Sequence, residues 1–367
     1  MSALKIAYEN LQASNAPFEA EIDTAVKRVL ASGWFINGES VASFEHNFAT
    51  YIGAKHCIGV ANGLDALTLS LRAMDYPKGS DIITSSNSYI ATLLAILAAG
   101  HHPVLVEPNS ATYNLDASQL AAARTPKTRA IMPTHLYGKP AAMTEIMRFA
   151  DEHDLDVFED CAQSHGAKLA GKTTGTFGKT GSFSFYPTKN LGCFGDGGAI
   201  TTDDDELALK LRALRNYGSH EKYKNMYQGV NSRLDEIQAA ILDVKLTHLN
   251  AITAHKRELA QVYFAHLPPQ VVLPLQETDS FDVFHIFAIR TKQRDALRQF
   301  LSEQGIGTEI HYPIAPHRQE AMQEHVSGDW PIAEALADSQ LSLPISFATT
   351  QDNVREVCAA INVFFAS

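Results

Sequence analysis

From about residue 55 to residue 205 the chain alternates short β-rich runs with helical patterns. No other feature constrains the fold as much. Cys57–Val60, Asp81–Ser85, Val104–Val106, Ala130–Pro133, Asp156–Glu159 and Ala199–Thr202 read as strands. Between them Asp65–Met74 reads as a helix, with Leu67 and Leu71 one turn apart on one face. Tyr89–Ala99 is a second helix, stopped by Gly100, and Asp116–Ala123, Met143–Glu152 and Glu206–Tyr217 are others. Strand and helix in strict alternation predict an α/β layered domain with a mainly parallel sheet.

Beyond Gly198 the pattern changes. Leu234–Leu267 is dominated by helical periodicity and is long enough to bridge two domains. Val283–Arg290 and Ile306–His311 read as strands, Arg294–Gln304 as a helix closed by Gly305, and Val354–Phe365 as a last helix. These describe a smaller C-terminal α+β domain. A length of 367 residues suits two domains at roughly 100–200 residues each. The expected division is 1–245 for the large domain and 246–367 for the small one.

No apolar run reaches the roughly 20 residues that span a bilayer. The N-terminus lacks the basic-then-apolar pattern of a signal peptide. A cytoplasmic protein with no membrane partner is therefore expected. Cys57, Cys161, Cys193 and Cys358 are far apart and form no CxxC pair, so they read as small buried hydrophobes rather than a metal or disulfide framework. A formal charge of −11 argues against nucleic-acid binding, yet a few local cations could still hold an anionic small substrate.

The segment Gly181–Ile200 (GSFSFYPTKNLGCFGDGGAI) is the most informative. It sets Lys189 among Phe183, Phe185, Tyr186, Leu191 and Phe194, with four glycines that allow turns and close approach to a ligand. Partial desolvation favours the neutral amine, the form that attacks carbonyls. A surface loop and a covalent or ligand-binding role both stand on residue types alone. In Val157–Gly166 (VFEDCAQSHG) an apolar run ends in Glu159-Asp160, where α/β sheets place ligands. Asp160 is a candidate ligand carboxylate or a turn residue. Gln163 and His165 follow within reach of the same place, although His165 alone reads as a packed or partly exposed histidine. In Val60–Ala66 (VANGLDA) a strand, a glycine turn and a helix start form a phosphate site without a lysine. Neither GxGxxG after the first strand nor GxxxxGK[ST] is present, which weakens dinucleotide and NTPase readings. Strand alternation puts Ser182, Ser184 and Tyr186 on one face.

The motifs NGLDAL (62–67), EDCAQSHGA (159–167), SFYPTKNLGCFGDGGA (184–199) and GVNSRLDEIQAAIL (229–242) together resemble the DegT/DnrJ/EryC1/StrS family. These are pyridoxal phosphate (PLP)-dependent sugar aminotransferases with the aspartate-aminotransferase type (fold type I) architecture. The resemblance runs over nearly the whole chain. It implies that Lys189 anchors PLP and that Asp160 partners the pyridine nitrogen, keeping the ring an electron sink. It implies that Gln163 contacts the ring hydroxyl, that Gly63, Leu64 and Ser184 bind the phosphate, and that Tyr89 stacks on the ring. Asn231 matches a residue reaching the phosphate of a neighbouring subunit, which implies a homodimer with shared active sites. Dehydratase relatives carry histidine where this chain has Lys189, so the lysine implies transamination.

NGLDAL, PTKNLGCFGDGGA and IHYPIAPHRQ (310–319) most resemble enzymes that aminate C3 of dTDP-3-keto-6-deoxyhexoses. The implied partners are a nucleotide sugar and an amino-acid donor, glutamate. Tyr186, Tyr217, Tyr312 and His317 are the expected substrate contacts. Arg215, His220, Lys222, Lys224 and Arg318 are further candidate cations for a diphosphate. A C4-specific or keto-inositol aminotransferase, and a non-catalytic relative that binds PLP or a nucleotide sugar, are the alternatives.

Overall fold

Seven strands form the central sheet of the computed structural model, which describes residues 4–366. They are β1 (His56–Val60), β2 (Asp81–Ser85), β3 (His102–Val106), β4 (Thr128–Met132), β5 (Asp156–Asp160), β6 (Thr180–Ser184) and β7 (Gly198–Thr202). Their order across the sheet is β1-β7-β6-β5-β4-β2-β3. All pairings are parallel except those of β7, which runs antiparallel to both β1 and β6. The C-terminal ends of six strands and the start of β7 therefore share one edge, where an α/β sheet binds its ligands.

Helices cover both faces. The large domain carries α1 (Glu19–Ser32), α2 (Glu39–Ile52), α3 (Gly63–Arg72), α4 (Ala91–Ala98), α5 (Met143–His153) and α6 (Asp205–Leu214). Strand alternation sends Ile82, Ala130, Met132 and Phe158 toward one face, where they pack on Leu67 and Leu71 of α3 and Ala95 and Ile96 of α4. Ile83, Ile131 and Val157 point the other way, onto Ile146 and Ala150 of α5. Phe44 and Phe48 of α2 meet Phe183 and Phe185 edge-on, closing the core beneath the segment that carries Lys189.

One long helix, α7 (Glu236–His266), joins this layer to the C-terminal part. At 31 residues it spans roughly 46 Å. Ala239, Leu242, Leu246 and Leu249 pack in the large core, and Leu259, Ala260 and Tyr263 in the second core. The expected 245/246 boundary thus falls inside a continuous helix. The second core adds α8 (Arg294–Glu303), α9 (Pro331–Ser339), α10 (Gln351–Ala366) and the antiparallel pair β8 (Phe287–Arg290) and β9 (Gln340–Leu343). Ile6, from the far end of the chain, is part of that second core.

Several expected boundaries shift for local reasons. The helix expected to reach Tyr217 ends at Leu214, because Tyr217 and Gly218 both take positive φ. Val283 and Phe284 do not enter β8. The Val283 amide donates to Gly138 O, and its carbonyl accepts from Asn190, so this stretch is held by the large domain. Ile306–His311 is not a strand. Only isolated bridges form there, Ile306 with Ile6 and Glu309 with Ser342.

Candidate active site

The strand ends bring four separate sequence segments together. After β1, Asn62 caps α3 by accepting a 2.8 Å hydrogen bond from the Asp65 amide. The amides of Gly63 and Leu64 open this helix and have no intrahelical acceptor. A Cβ on Gly63 would lie 2.7 Å from the Cβ of Ser184, and one on Gly198 would lie 2.4 Å from the carbonyl carbon of Asn62. Only glycine at both positions lets the helix N-terminus sit this close to the ends of β6 and β7. Free amides, the helix dipole and the Ser184 hydroxyl together form an anion cradle.

Asp160 ends β5 and is 4% exposed. Its Oδ2 accepts from Thr92 Oγ1 at 2.8 Å and Thr134 Oγ1 at 3.4 Å, and its Oδ1 from the Ala162 amide at 3.1 Å. Three donors around one carboxylate fix its direction. Gln163 is also held: its Oε1 accepts from the Tyr137 amide at 2.7 Å, and its Nε2 donates to Tyr312 OH at 3.0 Å. The Tyr312 ring lies 5.1 Å from that of Tyr89, tilted by 39°. Tyr89 is 55% exposed and offers an open aromatic face at this edge.

Lys189 follows a turn in which its own amide donates to Tyr186 O. Its Nζ lies 3.5 Å from His285 Nε2. Burial lowers the Lys189 amine to about 8, with Asp160 acting in the opposite direction. The surrounding imidazoles are driven down as well. Burial takes His165 to about 3, His311 to about 4 and His285 well below its usual range, and the Lys189 charge adds to each effect. At neutral pH the lysine thus sits among uncharged histidines.

Behind β5, His135, Glu159 and Cys161 lie close enough to suggest a metal site. Hydrogen bonds already fill the carboxylate. Glu159 Oε1 accepts from the amides of Phe177 and Gly178, and Oε2 from His135 Nε2 and the Gly175 amide. His135 Nδ1 accepts from the Ala141 amide, so Nε2 carries the proton that points at Glu159. This is a structural network that anchors the strand end beside Asp160.

The structure does not bring every expected residue to the lysine. His317 is 5% exposed, and its Nε2 bonds Glu334 Oε1 at 2.9 Å beside the Trp330 ring. That bond engages Nε2 alone, and Nδ1 has no hydrogen-bond partner among the described residues. Arg318 is drawn to the same Glu334 and to Asp329. Arg215 is buried against Glu45 and the Gly59 carbonyl, so it is a structural cation. Lys224 pairs with Glu221 on an exposed hairpin that also carries His220 and Lys222. Tyr186 and Tyr217 are 53% and 51% exposed. Asn231 is exposed, next to Ser232, whose Oγ accepts from the Ala61 amide just before the anion cradle. Sequence reasoning missed Thr92, Thr134 and His285. Each is a polar side chain inside an otherwise apolar or loop stretch, a signal without meaning until the strand ends converge.

An anion cradle, a fixed carboxylate, an amine of lowered basicity and an open aromatic face fit one kind of group. They suit a phosphorylated, aldehyde-bearing pyridine. Gly63, Leu64 and Ser184 could hold its phosphate, Asp160 its ring nitrogen and Lys189 its aldehyde carbon.

Comparison with known proteins points the same way. The model of the DegT/DnrJ/EryC1/StrS aminotransferase family matches residues 17–362. A dTDP-3-amino-3,6-dideoxy-alpha-D-galactopyranose transaminase of Aneurinibacillus thermoaerophilus is 50% identical over 358 residues, 97% of this chain and 99% of the relative. The solved structure of Streptomyces venezuelae DesV in complex with a ketimine intermediate superposes with a TM-score of 0.96 at 42% identity, covering 99% of both chains. NtdA of Bacillus subtilis, solved with bound cofactor PMP, gives 0.91 at 29% identity over 99% of this chain and 86% of its own.

Proposed function

Because this chain belongs to the DegT/DnrJ/EryC1/StrS aminotransferase family, we propose that it moves an amino group from an amino acid to C3 of a dTDP-linked 3-keto-6-deoxyhexose. PLP is its cofactor, and L-glutamate is the proposed donor. The observation that carries this reading is the convergence of Lys189, Asp160 and the α3 N-terminus on one sheet edge, in a chain half identical to a transaminase named for a dTDP-3-amino sugar.

When bound, PLP supplies an aldehyde that takes up nitrogen and a protonated pyridine ring that accepts electrons. The chain's own groups do the rest. Gly63 and Leu64 amides and the Ser184 hydroxyl bind the phosphate. Asp160, oriented by Thr92 and Thr134, holds the proton on the pyridine nitrogen. Tyr89 would cover one ring face, and Gln163 would offer its amide to the ring hydroxyl. Lys189 would anchor the cofactor's aldehyde carbon, and its neutral Nζ, when free, would be the base that takes the proton from the donor α-carbon. Returning a proton to the sugar carbon completes the second half of a ping-pong cycle. Tyr186, Tyr217 and Tyr312 are the proposed sugar-nucleotide contacts.

The same reading includes a homodimer in which exposed Asn231 serves the neighbouring phosphate site. It also includes a cytoplasmic location; no helix among the described residues is long and apolar enough to cross a membrane. The test is turnover with L-glutamate of a dTDP-3-keto-6-deoxyhexose against its 4-keto isomer, with NMR of the product. Nitrogen on C3 is expected, and nitrogen on C4 alone would overturn the assignment of position. Purified protein that, after incubation with PLP and removal of the free cofactor, shows no visible absorbance and no borohydride-fixed adduct on Lys189 would overturn the reading altogether.

A further inference from the structure

A second lysine is built into the ground behind Lys189. Lys256 lies within α7, where neighbouring turns carry surface charges, yet it is only 4% exposed. Its Nζ donates to Asn190 Oδ1 at 2.7 Å and lies 3.4 Å from the His285 carbonyl oxygen. Asn190 is the residue after Lys189, and its Nδ2 donates to Val283 O at 2.9 Å. His285 is the residue whose Nε2 lies 3.5 Å from Lys189 Nζ. Lys256 therefore grips both neighbours of the Lys189 amine, one along the chain and one across space.

Lys189 and Lys256 also line a common narrow cavity of about 30 Å³, together with Lys245 and with Glu9, Leu11 and Phe18 of the N-terminal segment. That volume has room for about one water molecule. Two amines across so little solvent interact more strongly than surface charges do. An ammonium taken out of water is costly unless it is fully paired and hydrogen-bonded. No carboxylate forms an ion pair with Lys256 among the described residues; Glu9 acts on it only through its field.

We propose that Lys256 is a positioning residue that holds Asn190 and His285 around Lys189 and whose positive charge keeps the Lys189 nitrogen ready to release its proton. This rests on Lys189 being the reactive amine. The charged and titratable groups facing Lys189 are Asp160 from the end of β5, His165, His285, His311 and Lys256, with Lys245 and Glu9 on the shared cavity. The histidines are neutral at pH 7, and of the two other lysines Lys256 is the one that interacts with Lys189, so Asp160 and Lys256 are the opposing charges. Burial lowers Lys256 itself to about 8, and Lys189 pushes it in the same direction. It is thus mostly charged at neutral pH and discharges as the pH rises.

The test is a pH titration of the visible absorbance of PLP bound to the full-length holoenzyme, which reports the proton on the Lys189 nitrogen. Lys256→Met should raise that midpoint by about one pH unit, the size of effect expected from removing a close like charge. Lys256→Arg, which keeps the charge, should stay near the native midpoint. A folded Lys256→Met protein, verified by circular dichroism, with an unmoved midpoint would overturn the proposal. Equal shifts in Met and Arg variants would also overturn it, since charge would then not be the cause. Should Lys256→Met not fold, Lys256→Gln keeps a donor for Asn190 and carries the same expectations. Failure of the parent reading is distinguishable, because the native protein would then bind no PLP absorbance to titrate.

Discussion

Thr92 Oγ1, on the first turn of α4, donates a 2.8 Å hydrogen bond to Oδ2 of Asp160 at the end of β5. A hydrogen bond to an ionised group is worth about 1.5–3 kcal/mol. Thr92→Val keeps the shape and removes the donor. We expect PLP affinity and the half-reaction with glutamate to fall roughly tenfold to a hundredfold. Thr92→Ser should recover most of the loss. Stopped-flow measurement of the half-reaction decides the matter, and native-like rates in Thr92→Val would show that Asp160 does not need this support.

The amine of Lys189 sets a pH dependence. Its folded value of about 8 lies below the roughly 10.4 of an unfolded chain. Cofactor-free protein should therefore take up PLP faster as the pH rises through about 8, then level off as the amine becomes fully neutral. The same difference bears on stability. Between about 8 and 10.4 the folded state binds fewer protons than the unfolded state, so rising pH favours folding in that window. Lys245 and Lys256, each also lowered to about 8 by burial, add to this slope. The four buried cysteines, whose thiols burial pushes up, act in the opposite direction. Urea unfolding at pH 7.5 and pH 9.5 of the native chain beside Lys189→Met therefore isolates the lysine. A native chain that loses stability relative to the variant at pH 9.5 would contradict the sign.

Gly63 approaches Ser184 too closely for any side chain. Gly63→Ala should push the α3 N-terminus away from β6 while leaving the helix itself intact. The expected cost is roughly tenfold in PLP affinity, or about 1.4 kcal/mol, at the mild end of overpacking. Equilibrium titration with PLP measures it, and an unchanged dissociation constant would remove these amides from the phosphate site.

Glu159 is fully buried and has two donors on each carboxylate oxygen. Glu159→Gln would turn an N–H group toward two of those donors. We expect a loss of about 3 kcal/mol in unfolding free energy, read by urea denaturation. A variant as stable as the native chain would mean that the 175–178 loop can repack around the amide.

Much of this was legible in the sequence because the governing interactions are local. Asp81–Ser85 is a strand to the residue, since a short apolar run between polar turns has one way to be buried in a layered sheet. Gly100 and Gly305 end helices where expected, each with positive φ. The motif residues Gly63, Asp160, Ser184 and Lys189 meet because all lie next to strand ends on one edge. What escaped the sequence depends on distant partners. Ile306–His311 has the alternation of a strand, but its neighbours are a single residue of the N-terminal segment and one of β9. The periodicity of α7 gives no hint that Lys256 turns inward, because Asn190 and His285 come from elsewhere in the chain. His317 and Arg215 looked like free cations, and only the fold supplies Glu334 and Glu45.

Because α7 runs unbroken from one core into the other, it behaves as a shaft with a load at each end. The turn that carries Lys189 leans on one end, and the strand pair beside Tyr312 is geared to the other through Tyr263. Any opening or closing of the cleft must then be a pivot about the ends of this rod. A hinge within it would have to break a run of helical hydrogen bonds at the very place where Lys256 sits.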